Sequence, residues 1–191
     1  MKYFTPELWA SWGQPGYTPP PPESDPFVLY RRQLETLRGR LEPATFAFFA
    51  DADVHDGELL DFTITDGSRP APLGEAKRQW GSREGLPVVV VLRVLDAWDR
   101  YVWTIRYAGV RRTEAHYASD AEWGGGFDDW GYHELSDAGD QFLRHEILFA
   151  SDSSLLIEFK SVQIARAVAR EAAEQADATD EPPRLERRAR S

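Results

Sequence analysis

The 191 residues carry 22 Lys and Arg against 32 Asp and Glu, a formal charge of −10, with 42% hydrophobic content and no cysteine. That apolar share suits one domain with appendages rather than a disordered chain, and the missing thiols exclude disulfides, cysteine nucleophiles and thiolate metal sites. No apolar run nears the roughly 20 residues of a membrane span, and the opening MKYFTPELWASW lacks the unbroken apolar core of a signal peptide, so a soluble cytoplasmic protein is expected.

The charge is unevenly placed. From Arg166 to Ser191 six Arg balance six Asp and Glu, which leaves the whole −10 on residues 1–165. Such a body repels nucleic acid and anionic membranes and favours a basic partner.

Residues 1–13 predict a short aromatic-rich helix with Tyr3, Phe4, Leu8, Trp9 and Trp12, which must dock to hide its rings. GQPGYTPPPPESDP follows as a stiff spacer, since consecutive prolines favour extended polyproline. Asp25 and Pro26 then form a helix start, an N-cap followed by the ring at the first helical position. Phe27, Tyr30, Leu34, Leu37 and Leu41 recur at spacings of three and four and give one apolar stripe, which Pro43 ends. PATFAFFA, Pro43 to Ala50, reads equally as buried helix or strand.

A His55-Asp56-Gly57 corner opens a strand that places Leu60, Phe62 and Ile64 on one face and Leu59, Asp61, Thr63 and Thr65 on the other. The polar segment to Pro87 reads either as holding a short helix around Glu75 to Trp80 or as a mobile flap. PVVVVLRVLD predicts a strand buried on both faces, hairpin-paired across Asp96–Arg100 with YVWTIRYAGV. A glycine-rich loop spans Tyr117 to Asp129. WGYHEL, FLRHEILFA and LLIEFKSV supply further strands, with Leu143, His145, Ile147 and Phe149 sharing a face. From Ala165 the chain reads as helical, then as a disordered tail.

Together these elements predict an α+β domain: N-terminal helices packed on a mostly antiparallel sheet of about six strands. Residues 1–24 form an aromatic segment and linker, 25–165 the domain, and 166–191 a helical or disordered tail.

The opening MKYFTPELW, the His55-Asp56 corner, the segment Trp130 to Leu135 and the hairpin HEILFASDSSLLIEF resemble a bacterial family of unknown function, domain of unknown function 4085, whose members begin Met-Lys-Tyr-Phe-Thr. The same order of elements resembles small immunity-type proteins that neutralise bacterial toxins. The resemblance implies a non-enzymatic, protein-binding role.

Three site readings stand beside each other. Asp120, Glu122, Trp123, Asp128, Asp129 and Trp130 form an acidic, aromatic surface suited to a basic protein partner. Two carboxylates among Asp120, Glu122, Asp128 and Asp129 would also make the general acid/base pair of glycoside hydrolysis, with Trp123 and Trp130 stacking on a sugar, and exposed Trp would equally suit a carbohydrate-binding module. His55 and Asp56 with His133 or His145 would make the metal site of a hydrolase, although the spacing is generic. Asp51, Asp53 and Asp56 do not make a calcium loop, because the twelfth residue counted from Asp51 is Phe62 instead of a carboxylate. No Walker loop or nucleophile elbow occurs, so no cofactor is expected. The expectation is a non-enzymatic, immunity-like binding protein.

Overall fold

The computed structural model describes residues 1–12, 14–52, 54–66, 88–118 and 126–170. The helix expected around Glu75 to Trp80, and the tail beyond residue 170, lie outside them. Three helices, α1 (Pro6–Trp12), α2 (Pro26–Leu37) and α3 (Pro43–Asp51), precede eight strands. These are β1 (Gly57–Asp66), β2 (Val88–Leu95), β3 (Tyr101–Ala108), β4 (Arg112–His116), β5 (Asp129–Gly139), β6 (Phe142–Phe149), β7 (Ser154–Phe159) and β8 (Ser161–Val168). Among the described residues no helix is long and apolar enough to cross a membrane.

The helix starts follow from capping chemistry. Asp25 Oδ1 accepts the N–H of Phe27 at 2.8 Å and of Val28 at 3.4 Å, with Pro26 opening the helix. Of the α2 stripe, Tyr30, Leu34 and Leu37 are buried. Pro43 closes nothing itself; the chain leaves α2 through a short 3-10 turn, and Pro43 opens α3. The ambiguous PATFAFFA stretch is therefore helical, with Phe46, Phe48 and Phe49 buried.

All pairings are antiparallel, in the order β4-β7-β6-β5-β1-β2-β3-β8. Among the described residues the sheet has eight strands where the alternation suggests about six, because two long strands bend. β3 runs through Gly109–Arg111 into β4, and β7 passes through Lys160 alone into β8. The ladder continues across both bends, Lys160 N–H to Ala108 O at 3.1 Å and Arg111 N–H to Glu158 O at 2.9 Å. Gly109 turns the first bend at φ +65°, with Lys160 packed 3.1 Å from where a Cβ would stand. Since β3 borders β8 and β4 borders β7, the ends of the sheet are covalently joined and the sheet closes on itself.

Closure gives every strand an inside and an outside. In β2 the inner Val90, Leu92 and Val94 are fully buried while the outer Val89, Val91 and Arg93 are half-buried, so the valine run is not covered on both faces. β1 departs from strict alternation through a bulge between Leu59 and Asp61. The extra residue lets Leu59 and Phe62 both pack on the core and leaves Leu60 exposed; Ile64, nearer the end of the strand, is exposed as well. Of the stretch expected to be helical from Ala165, the part to Val168 is ladder in β8, where Ala165 pairs with Thr104 and Val168 with Tyr101, and helix begins only at Ala169 and Arg170. Pairing with β3 overrides the helical propensity of an alanine-rich stretch.

The N-terminal segment packs against β5 and α2. The carboxylate of Glu134 on β5, 1% exposed, accepts the backbone N–H groups of Lys2 at 2.8 Å, Tyr3 at 2.5 Å and Phe4 at 2.6 Å. Beside it, the Met1 ammonium donates to Glu146 at 2.7 Å. Tyr132, two residues before Glu134, is ringed by Phe4, Trp9, Trp12, Phe27 and His55 at centroid distances of 4.7–6.0 Å. Trp9 lies so close to Gly131 that a Cβ there would run into its ring. Glu134→Ala removes the acceptor of three buried or part-buried donors, and is expected to cost about 3 kcal/mol. Urea unfolding checks this, and limited proteolysis of the folded variant should cut first within residues 1–12.

Candidate functional site

Where α2, the end of α3, the β2–β3 turn and β5 meet, a cavity of about 480 Å³ opens. Its walls are apolar: Phe27, Tyr30 and Leu34 from α2, Phe49 from α3, Val54 before the corner and Tyr132 from β5. Trp98 stands at its mouth, 63% exposed. The turn that carries Trp98 is fixed by Asp96, whose Oδ1 accepts the N–H of Arg100 at 2.7 Å and of Tyr101 at 3.2 Å. The rim charges are already paired: Arg31 donates to Asp51 and to Ala50 O, both at 2.9 Å, and His55 Nδ1 lies 2.9 Å from Asp56 Oδ1.

His133 lines the cavity from β5 and leads inward. Its Nδ1 is 2.9 Å from Nε2 of His145 on β6, and His145 Nδ1 is 2.6 Å from the hydroxyl of Tyr107 on β3. This string crosses the inside of the closed sheet, with His145 and Tyr107 both fully buried. Burial pushes the Tyr107 phenol well above its ordinary range, so it keeps its proton. A buried O–H with His145 as its partner must donate. The polarity of the string then follows: Tyr107 O–H to His145 Nδ1, His145 Nε2–H to His133 Nδ1, and the remaining proton of neutral His133 on Nε2. Burial lowers His133 to about 4, and it lowers His145 well below the ordinary imidazole value, with His133 as the second cause.

The corner is built by its backbone. Asp56, at φ +61°, donates its N–H to Trp130 O at 2.8 Å, and Gly57 N–H reaches Val54 O at 3.1 Å. The corner thereby stitches β1 to β5. His55 packs its ring between Trp9 and Tyr132, and its Nε2 is enclosed without a partner.

Of the acidic surface expected from the sequence, Asp120, Glu122 and Trp123 lie outside the described residues. Asp128 and Asp129 are exposed, and the Asp129 carboxyl is raised by partial burial and then by Asp128 and Asp56. Trp130 is not part of a surface: it is 0% exposed and packs on His133, His145 and Phe149. A bulge between Trp130 and Tyr132 turns the indole inward along with His133. The metal candidates fall into two separate pairs, His55 with Asp56 and His133 with His145. Among the described residues no three His, Asp or Glu side chains gather as metal ligands. In the inner pair the lone pair of one ring is spent on the N–H of the other.

Sequence reasoning placed His145 on a core-facing row, and its burial was legible there. Tyr107 also sits on an alternating row, yet its partnership with His145 was not, because it depends on the sheet closing. Trp98 gave no signal beyond a turn.

Protein-family models, curated proteins and solved structures contain no match to this chain. The resemblance to the bacterial family named above rests on its short motifs alone.

The histidine string makes stability acid-sensitive. An unfolded histidine titrates near pH 6.5, whereas folded His133 does so at about 4. Between these values the unfolded chain binds more protons, so stability rises with pH through the window and is lost as pH falls. The slope expected from one such group is up to about 1.4 kcal/mol per pH unit. Urea unfolding at pH 7.5, 6, 5 and 4.5 checks it, and His133→Phe should flatten the curve.

Proposed function

We propose that this chain is a non-catalytic binding domain whose ligand site is the cavity between α2 and β5. One observation carries the reading: the apolar cavity is closed inward by a neutral imidazole that a buried string of hydrogen bonds holds in one tautomer. Largely apolar pockets with few, well-placed polar groups are the usual form of small-molecule sites, and 480 Å³ suits a drug-sized ligand. Among the described residues that line the cavity, none supplies a nucleophile beside a base. The hydrolase alternative is not favoured, since His55 Nε2 is enclosed and its Nδ1 faces Asp56.

The neutral fluorescent probe N-phenyl-1-naphthylamine tests the site. It should bind one per chain with micromolar affinity, and Ala52→Trp, which fills the cavity, should weaken binding at least tenfold while the protein stays folded by circular dichroism. Equal binding by the filled variant would sink the reading.

A second reading keeps the immunity-like role, a basic protein partner on the acidic rim. It is favoured by Asp56, Asp128 and Asp129 standing near enough for the first two to raise the third. Asp128→Lys with Asp129→Lys should change the unfolding midpoint little, since both are exposed, but should abolish capture of such a partner at low salt. Retained capture counts against this surface.

A further inference from the structure

We infer that the cavity selects a neutral, largely apolar molecule bearing a carbonyl-type hydrogen-bond acceptor, which the Nε2–H of His133 receives. The inference rests on the cavity being a ligand site and names what that site takes.

Tyr107 O–H has to donate, and each link after it has one choice, so the proton left on His133 is the one on Nε2. His133 Nδ1 is engaged by His145 at 2.9 Å, which leaves Nε2 as the ring nitrogen available to a ligand. A donor backed by two further hydrogen bonds is polarised by them, and an acceptor placed on it gains accordingly. An acceptor-free ligand would leave that N–H unpaired in an apolar site, at the cost of a desolvated donor.

Charge is selected against by the same geometry. At the mouth the Arg31 guanidinium pairs with Asp51, and the Asp56 carboxylate lies 2.9 Å from His55 Nδ1. At the floor the imidazole stays neutral at pH 7, because burial holds His133 at about 4. A carboxylate or an ammonium carried into these walls would lose its water without meeting an opposite charge. A ketone, ester or amide oxygen loses little and gains a directed bond.

Three probes of nearly one shape separate the contributions: 2-acetonaphthone, 2-isopropenylnaphthalene and 2-naphthoate, titrated at pH 7.5 by calorimetry. The ketone should bind about tenfold more tightly than the hydrocarbon, the size of one hydrogen bond plus the orphaned donor, and the carboxylate should bind most weakly. His133→Phe should erase the preference for the ketone and leave hydrocarbon binding intact. As a check that needs no variant, ring-nitrogen NMR of the wild-type protein should show His133 protonated at Nε2, with that proton shifting on addition of the ketone. Equal binding of ketone and hydrocarbon, tightest binding of the carboxylate, or a His133 ring protonated at Nδ1 would each overturn the inference while leaving the ligand site standing. Failure of all three probes to bind would overturn both.

Discussion

The sheet can close only because two strands bend without breaking their ladder. Gly109 and Lys160 carry the chain round, and the hydrogen bonds from Lys160 to Ala108 and from Arg111 to Glu158 keep the ribbon continuous through the turn. From this follow an enclosed interior, a defined inner face for each strand and an end of the sheet that α2 and α3 cover. Glu158 sits at the bend, 4% exposed. Burial raises its carboxyl, but bonds from Arg111 at 2.8 Å and Arg144 at 2.7 Å outweigh that and hold it below the ordinary range. A lone buried carboxylate would oppose the bend; a doubly bridged one is compatible with it.

β5 mediates between that interior and the N-terminus. Its bulge after Trp130 puts the indole and His133 inside, while Tyr132 and Glu134 face the helices. The strand thus carries the polar string on one face and, on the other, the aromatic seat and the carboxylate that hold residues 1–12. The cavity lies along this same strand, so the docked N-terminal segment is part of its architecture: Phe4 lines the cavity and stacks on Tyr132 at 5.1 Å.

Placing two imidazoles and a phenol in an apolar interior is costly unless they are paired, and here both links of the string, Tyr107 to His145 and His145 to His133, join a donor to an acceptor. The gain is a single arrangement of protons across β3, β6 and β5. Elsewhere the packing tolerates imperfection: among the described residues the indole N–H groups of Trp12 and Trp130 are buried without partners, each costing about 1–3 kcal/mol. The contrast between these orphaned donors and the paired string sets His133 apart as the polar group the fold organises.

Local chemistry in the chain was enough to determine the elements whose signals are local. Asp25 and Pro26 set the start of α2, the 3–4 spacing set its buried stripe, and alternation set the inner row of β6. Alternation misplaced Leu60, and grouping Trp130 with the acidic loop put its indole on the surface, because in both places a bulge depends on the partner strand; alanine-rich β8 read as helix because only pairing with β3 makes it a strand. The meeting of Tyr107, His145 and His133, the seat of the N-terminus on Glu134 and the cavity itself are separated by 12 to 132 residues in sequence. Such contacts leave no periodic trace; closing the sheet decides them, because closure brings β3 opposite β6 and gives the interior a floor.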